Sequence, residues 1–313
     1  MAKRFAAHAM AVCVWVAAGA PQALAQTRAP TMGAKLQPYI GCINRLSERA
    51  HESKARYLSW AKPSGPTGRE RIIYGTYTIY DTADCRKAVV DAAGAEPRNA
   101  DVEKAGADYA AAVGALEPLL KEADDYYSQS NYKDDKMALG KALHPKLMAA
   151  WAAFERADKD LRGVVGRLND QAQMDQIADV ERTEGRKARF HVMDAMLKAK
   201  MLSRIESVEP QKMDVPKVVE ALAAYEAAVK ALERYAGENP GDKVDSSFVS
   251  AAKGFLASAK DLMRRARDKV PYSAGDRMML SQQGAGWMVE GSPQRLTRDY
   301  NALVERYNAS SRF

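Results

Sequence analysis

The sequence predicts an all-α fold, an elongated antiparallel helical bundle with heptad-like seams, and three observations lead there. Apolar residues recur at helical spacing along nearly the whole of the 313-residue chain. Residues favouring strand are concentrated in one short stretch with no partner strand in view. Several apolar stripes step by seven, four and three, the spacing of helices packed side by side in a left-handed crossing.

The first 25 residues read as an export signal and stand outside the fold. Lys3 and Arg4 supply positive charge, Phe5 to Ala20 an apolar run, and Ala23-Leu24-Ala25 the small residues of a cleavage site. An N-terminal membrane anchor is the competing reading. The run is shorter than the ~20 residues that span a bilayer, and Pro21 interrupts its continuation. Cys13 lies in mid-run, the wrong place for lipidation. The expected product starts near Gln26 and resides in the periplasm or outside the cell, with no transmembrane segment in the mature chain.

Beyond residue 25 there are 45 basic and 40 acidic residues, spread evenly between the two halves. No basic face or tail points to nucleic acid. The two remaining cysteines, Cys42 and Cys85, form an even pair in an exported chain, which favours a disulfide over two separate buried thiols. Closing a loop of that length stabilises by about 4 kcal/mol on the chain-entropy model. There is no CxxC motif for redox or zinc chemistry.

After a leader over 26–33, one elongated helical domain is expected over 34–313. Its first helix runs from Ala34 to Trp60 with Tyr39, Ile43, Leu46, Ala50, Tyr57 and Trp60 on one face. The prolines and glycines of Lys62 to Gly68 end it. Ile72 to Cys85 reads as loop with a helical turn near Asp84. Asp101 to Tyr127 holds the cleanest heptad: Val102, Tyr109, Val113, Leu116, Leu120, Ala123 and Tyr127, with a kink expected at Pro118. The next helix is expected to start at His144–Pro145, proline in its first turn. It continues to Val208 as one helix of about 60 residues, some 90 Å long, unless broken between Asn169 and Gly185. Pro210 and Pro216 mark a turn into the seam of Val218, Leu222, Tyr225, Val229, Leu232 and Ala236. A loop over Gly237 to Asp242 then leads to the seam of Phe248, Ala252, Phe255, Ala259, Leu262 and Ala266. A glycine-bearing loop and a last helix, capped by Ser292 with Pro293 first, complete the chain.

Four stretches carry a family resemblance: KLQPYIGCINRLSERA (35–50), GPTGRE (65–70), EADDYYSQSNYKDDKMALGKALHPKL (122–147) and SPQRLTRDYNALVERYN (292–308). They resemble the YiiG-like family of bacterial envelope proteins of unknown function. That resemblance implies an exported helical protein and supplies no activity or catalytic residue. Many members look like lipoproteins, whereas this chain has no usable lipidation site.

The best candidate ligand or partner surface is the tyrosine-acid block: Asp124, Asp125, Tyr126, Tyr127, Tyr132, Asp134 and Asp135, followed by His144. Clustered carboxylates suit a hard cation, but EF-hand spacing fails. The plainer reading makes Asn131 a helix cap, Asp134 and Asp135 the acids of that helix's first turn, and Asp124 and Asp125 a solvated face. GPTGRE has the glycines of a phosphate loop without its Lys-Ser/Thr ending, so a turn is expected. Tyr74, Tyr77 and Tyr80 read either as a glycan platform or as cover over the disulfide. No catalytic residue, metal ligand or cofactor is expected. The expected role is non-enzymatic binding of an envelope protein or cell-wall component. The alternative is capture of a glycan or small molecule by the 122–147 block.

Overall fold

The computed structural model describes residues 30–206, 210–242, 244–282 and 284–310. Residues 1–25, with the expected signal and its cleavage site, lie outside them. Among the described residues the fold is all α, with nine α-helices and no strand. No helix among them is long and apolar enough to cross a membrane.

The first helix, α1 (Met32–Leu58), starts two residues before its expected point because Thr31 caps it, its hydroxyl accepting from the Ala34 N–H at 3.2 Å. The helical turn expected near Asp84 grows into a full helix, α2 (Thr82–Gly94). Cys85 sits on α2 and bridges to Cys42 on α1, their Cα atoms 5.3 Å apart and both residues buried. The disulfide thus ties two packed helices together. Asn99 caps α3 (Ala100–Ser128), accepting from the Val102 N–H at 3.1 Å. α3 stays helical through Pro118, and all seven residues of its heptad are buried.

The long helix differs from expectation at both ends. α4 (Ala138–Glu184) starts well before His144, because the Asp135 carboxylate accepts from the Leu139 N–H at 2.8 Å and satisfies a free donor there. Pro145 therefore lies inside the helix, at a cost of about 3 kcal/mol. Burial of Leu143, Leu147 and Trp151 on the same helix offsets this, at roughly 1.5–3 kcal/mol for each large side chain. At the other end Gly185 stops the helix in a backbone conformation, φ +80° and ψ −178°, open essentially to glycine alone. The expected continuous helix to Val208 is thus two helices, and α5 (Ala188–Glu206) packs back against α4.

α6 (Val215–Glu238) carries proline in its first turn and α7 (Ser246–Arg267) ends on three arginines that suit its dipole. The expected glycine-bearing loop contains a short helix, α8 (Ala274–Ser281), closed by a capping box between Ser273 and Asp276. α9 (Pro293–Ser310) follows its Ser292 cap, whose hydroxyl accepts from the Arg295 N–H at 3.1 Å.

Two buried cores result. The first joins α1, α2, α3 and the front of α4 around Tyr39, Tyr57, Tyr109, Trp151 and Phe154. The second joins α5, α6, α7 and α9 around Tyr225, Phe248 and Phe255. Between them, Ile177 and Val180 of α4 meet Phe190 and Leu197 of α5 in a small cluster of their own.

Candidate functional site

The tyrosine-acid block is brought together, though largely inside the protein. Tyr126, Tyr127 and His144 are buried, which corrects their reading as a surface and agrees with the place of Tyr127 on the α3 seam. The heptad of α3 explains it: Tyr127 ends the seam, and Tyr126 packs beside it with ring centroids 5.0 Å apart. Asp125 and Asp134 are exposed, while Asp124, Asp135 and Tyr132 are half-buried. The expected helix capped by Asn131 is only a single 3-10 turn, Asn131–Lys133. Asp135 acts on α4 instead, and its other oxygen accepts from the Tyr126 hydroxyl at 2.7 Å. The hydrogen bonds from Leu139 and Tyr126 hold its carboxyl below the usual range.

Around Tyr127 the rings form a continuous aromatic cluster. Trp60 lies 5.0 Å away edge-on, and Tyr57 meets Trp60 at 5.2 Å and Trp151 at 5.4 Å. His144 stacks on Tyr57 and uses both ring nitrogens, Nδ1 at 3.0 Å from the Tyr57 hydroxyl and Nε2 at 3.1 Å from the Pro63 carbonyl. A carbonyl only accepts, so Nε2 carries a proton, and in the neutral ring Nδ1 then accepts from Tyr57. Burial pushes the Tyr57 and Tyr126 hydroxyls up to about 12, and Tyr127 further still.

The segment from 62 to 81, without regular structure, is laced onto this cluster. Trp60 donates to the Gly75 carbonyl at 2.9 Å, Ser53 to the Tyr77 carbonyl at 2.6 Å, and Arg56 to the Tyr74 carbonyl at 2.8 Å. Gly65 and Gly75 take positive φ where a Cβ would meet His144 at 3.3 Å and Tyr127 at 3.2 Å. Glycine is therefore needed both for conformation and for close approach. The glycines of GPTGRE do not leave a phosphate cradle: Glu70 already accepts from the N–H groups of Thr67 at 2.5 Å and Gly68 at 2.8 Å. Burial raises the Glu70 carboxyl, and these hydrogen bonds outweigh it to leave the group lowered. Tyr74 and Tyr80 are exposed. Tyr77 sits beneath Arg49, 3.7 Å from the ring centroid, with Arg56 at 4.5 Å.

A second polar cluster is not foreseen from sequence. Asp158 of α4 is 5% exposed and accepts from Ser47 at 2.5 Å and Arg162 at 3.0 Å, with His51 at 3.2 Å. Tyr109 of α3 joins through Ser47 at 2.9 Å. Serine, histidine and aspartate are all present, but Ser47 donates to the acid and not to the histidine, and it is fully buried. With Ser47 engaged by both Asp158 and Tyr109 and sealed from solvent, the cluster joins three helices. Its one sequence signal is an acid on the apolar seam between Phe154 and Leu161.

Grooves lie elsewhere. One of about 500 Å³ runs between α5 and α6 past Arg186, His191, Arg234 and Tyr235. One of about 470 Å³ lies between Pro210–Val215 and Arg265–Pro271. A third, of about 330 Å³, is bordered by α4, α5 and α9. None of these three is lined by Tyr126, Tyr132 or Asp134. Among the described residues no group of three or more His, Cys, Asp or Glu side chains is placed to hold a metal ion.

Fold and site together define a disulfide-tied, all-helical protein built on two cores. The chain belongs to the family described as "Protein of unknown function (DUF3829)", which matches residues 32–309. It is 33% identical over 279 residues to the uncharacterized protein YiiG of Escherichia coli (strain K12), covering 88% of this chain and 78% of that one. It is also similar to a DUF3829-like protein of known crystal structure from Bacteroides thetaiotaomicron. There the identity is 16%, the TM-score 0.27, and the coverage 86% of this chain and 96% of the other.

Proposed function

We propose that this protein is exported and works outside the cytoplasm without catalysis, docking a partner protein on its helical body. Export rests on Lys3, Arg4, the apolar run and Ala23-Leu24-Ala25. Docking rests on one observation, an apolar patch near the C-terminus. α8 has no buried residue and packs on the 3-10 turn Gly286–Met288. Met278, Trp287 and Met288 are 59%, 42% and 46% exposed. Exposed apolar area gathered in this way marks interaction surfaces, and Trp and Met are the residues enriched there. Arg298, paired with Asp299 at 2.6 Å, lies over the Trp287 ring at 4.4 Å, and Arg277 stands on α8, so the complementary partner carries an apolar knob with a polar rim.

The experiment places a photocrosslinking side chain at 278 or 288 in intact cells, with 104 on α3 as control. Discrete adducts with one protein at 278 and 288, absent at 104 and severalfold weaker with Arg298→Glu, support the reading. Equal labelling at 104, or no adduct, rejects it. N-terminal sequencing of the same material tests export: it should begin at or near Gln26.

A further inference from the structure

The groove between α5 and α6 has the features of a ligand site, and it owes nothing to the docking patch. Its volume of about 500 Å³ falls in the range of small-molecule sites. The groove exists because Ala227, Ala228 and Ala231 form its floor, where larger side chains would fill the space between the helices. One wall is aromatic: His191 of α5 and Tyr235 of α6 lie 4.9 Å apart, and Phe190 meets His191 edge-on at 5.3 Å.

The rim charges are mostly accounted for. Arg186 is held by Glu181 at 2.7 Å and lies over Phe190, while Lys198 is held by Asp194 at 2.7 Å. Arg234 makes no ion pair or hydrogen bond among the described residues. Its guanidinium fork is open on the groove, and such a fork matches a planar carboxylate. Asp194 is compensated by Lys198, but Glu238 shares the lining, and its repulsion disfavours a doubly charged anion such as phosphate. Burial lowers the affinity of His191 for a proton, so its ring is neutral at pH 7 and offers a face for stacking.

We propose that this groove binds a singly charged carboxylate carried on a flat or apolar body, with Arg234 holding the carboxylate and the paired His191 and Tyr235 rings lining one side of the body. The floor of alanine methyls receives the apolar part.

The test follows the His191 ring by NMR in the intact protein, where four histidines in the sequence keep the spectrum simple and His191→Phe assigns the signal. The probes are benzoate, N-acetylphenylalanine and inorganic phosphate. The two carboxylates should give saturable shifts at His191, at least tenfold weaker in Arg234→Gln and absent in Ala231→Phe, which fills the floor. Arg234 is exposed, so that variant keeps the test valid even where Ala231→Phe perturbs folding. The proposal is overturned by no saturable shift, by equal affinity in Arg234→Gln, or by phosphate binding as well as benzoate.

Discussion

The Tyr57 hydroxyl and His144 Nδ1 lie 3.0 Å apart inside the first core, and through them α1 and α4 hold the 62–81 segment in place. The bond is buried, so losing one partner leaves the other a polar atom unpaired in the core. Tyr57→Phe should therefore destabilise by about 1–3 kcal/mol. His144→Phe should cost as much and also release the Pro63 carbonyl, and the two changes together should cost less than their sum. Urea unfolding of the four proteins measures this. Strict additivity would mean the two groups do not interact.

Alkaline pH tests the same core. The hydroxyls of Tyr57, Tyr109 and Tyr126 are pushed up to about 12, burial being the first cause in each. Folded values above the unfolded value of ~10 mean the native state holds protons that the unfolded chain releases. Stability from these groups is fully present below about pH 10 and is lost as pH rises towards 12. Urea midpoints should be flat from pH 8 to 9.5 and fall steeply above 10. Tyrosinate absorbance should lag that of the denatured protein, and Tyr57→Phe should lessen the slope. An absorbance curve that matches the denatured one would contradict the burial.

Two helical glycines should respond in opposite ways to alanine. At Gly106 on α3 a Cβ would lie 2.3 Å from the ring of fully buried Tyr39. Overpacking of this kind costs about 1–3 kcal/mol. At exposed Gly254 on α7 a Cβ meets nothing within 4 Å, so alanine should stabilise by about 0.5–1 kcal/mol. Thermal unfolding of Gly106→Ala and Gly254→Ala gives both signs. A neutral Gly106→Ala would mean that α1 and α3 pack less closely.

How much of the fold and site is legible in the sequence depends on what each residue type signals. Val102, Leu116 and Leu120 can only be core residues at heptad spacing, and they are buried. Cys42 and Cys85 are the two thiols left beyond residue 25, so their pairing needs no knowledge that α2 carries one of them. Tyrosine is different, because its ring suits a core and its hydroxyl suits solvent. For Tyr126 a run of acids suggests surface, yet Asp135, brought in by the fold, decides for the interior, whereas the heptad already places Tyr127 on the seam. Asp158 resembles any other helix charge, since its partners Ser47 and His51 are over 100 residues away. Gly185 is plain to see, but a glycine within a helical pattern does not announce whether the helix passes through it.

That glycine is the basis of the last prediction, which concerns shape. Gly185 at φ +80° and ψ −178° ends α4, and its N–H donates to the Glu181 carbonyl at 3.0 Å. Alanine at this position meets no neighbour within 4 Å, so its penalty is conformational alone, about 1–3 kcal/mol. The break shortens the rod expected from sequence without making the protein a ball. The 47 residues of α4 still extend for about 70 Å at 1.5 Å per residue. A globular chain of ~288 residues has a radius of gyration of about 19 Å, which is a sphere only about 49 Å across. Small-angle scattering from the processed monomer should therefore give a radius clearly above 19 Å. Gly185→Ala should lower stability, because the Phe190 and Leu197 contacts to α4 hold α5 back against it. A wild-type radius at the globular value would mean that the two cores fold over one another. An unchanged stability in Gly185→Ala would mean that the backbone there is free to leave the strained conformation, and the break would lose its structural basis.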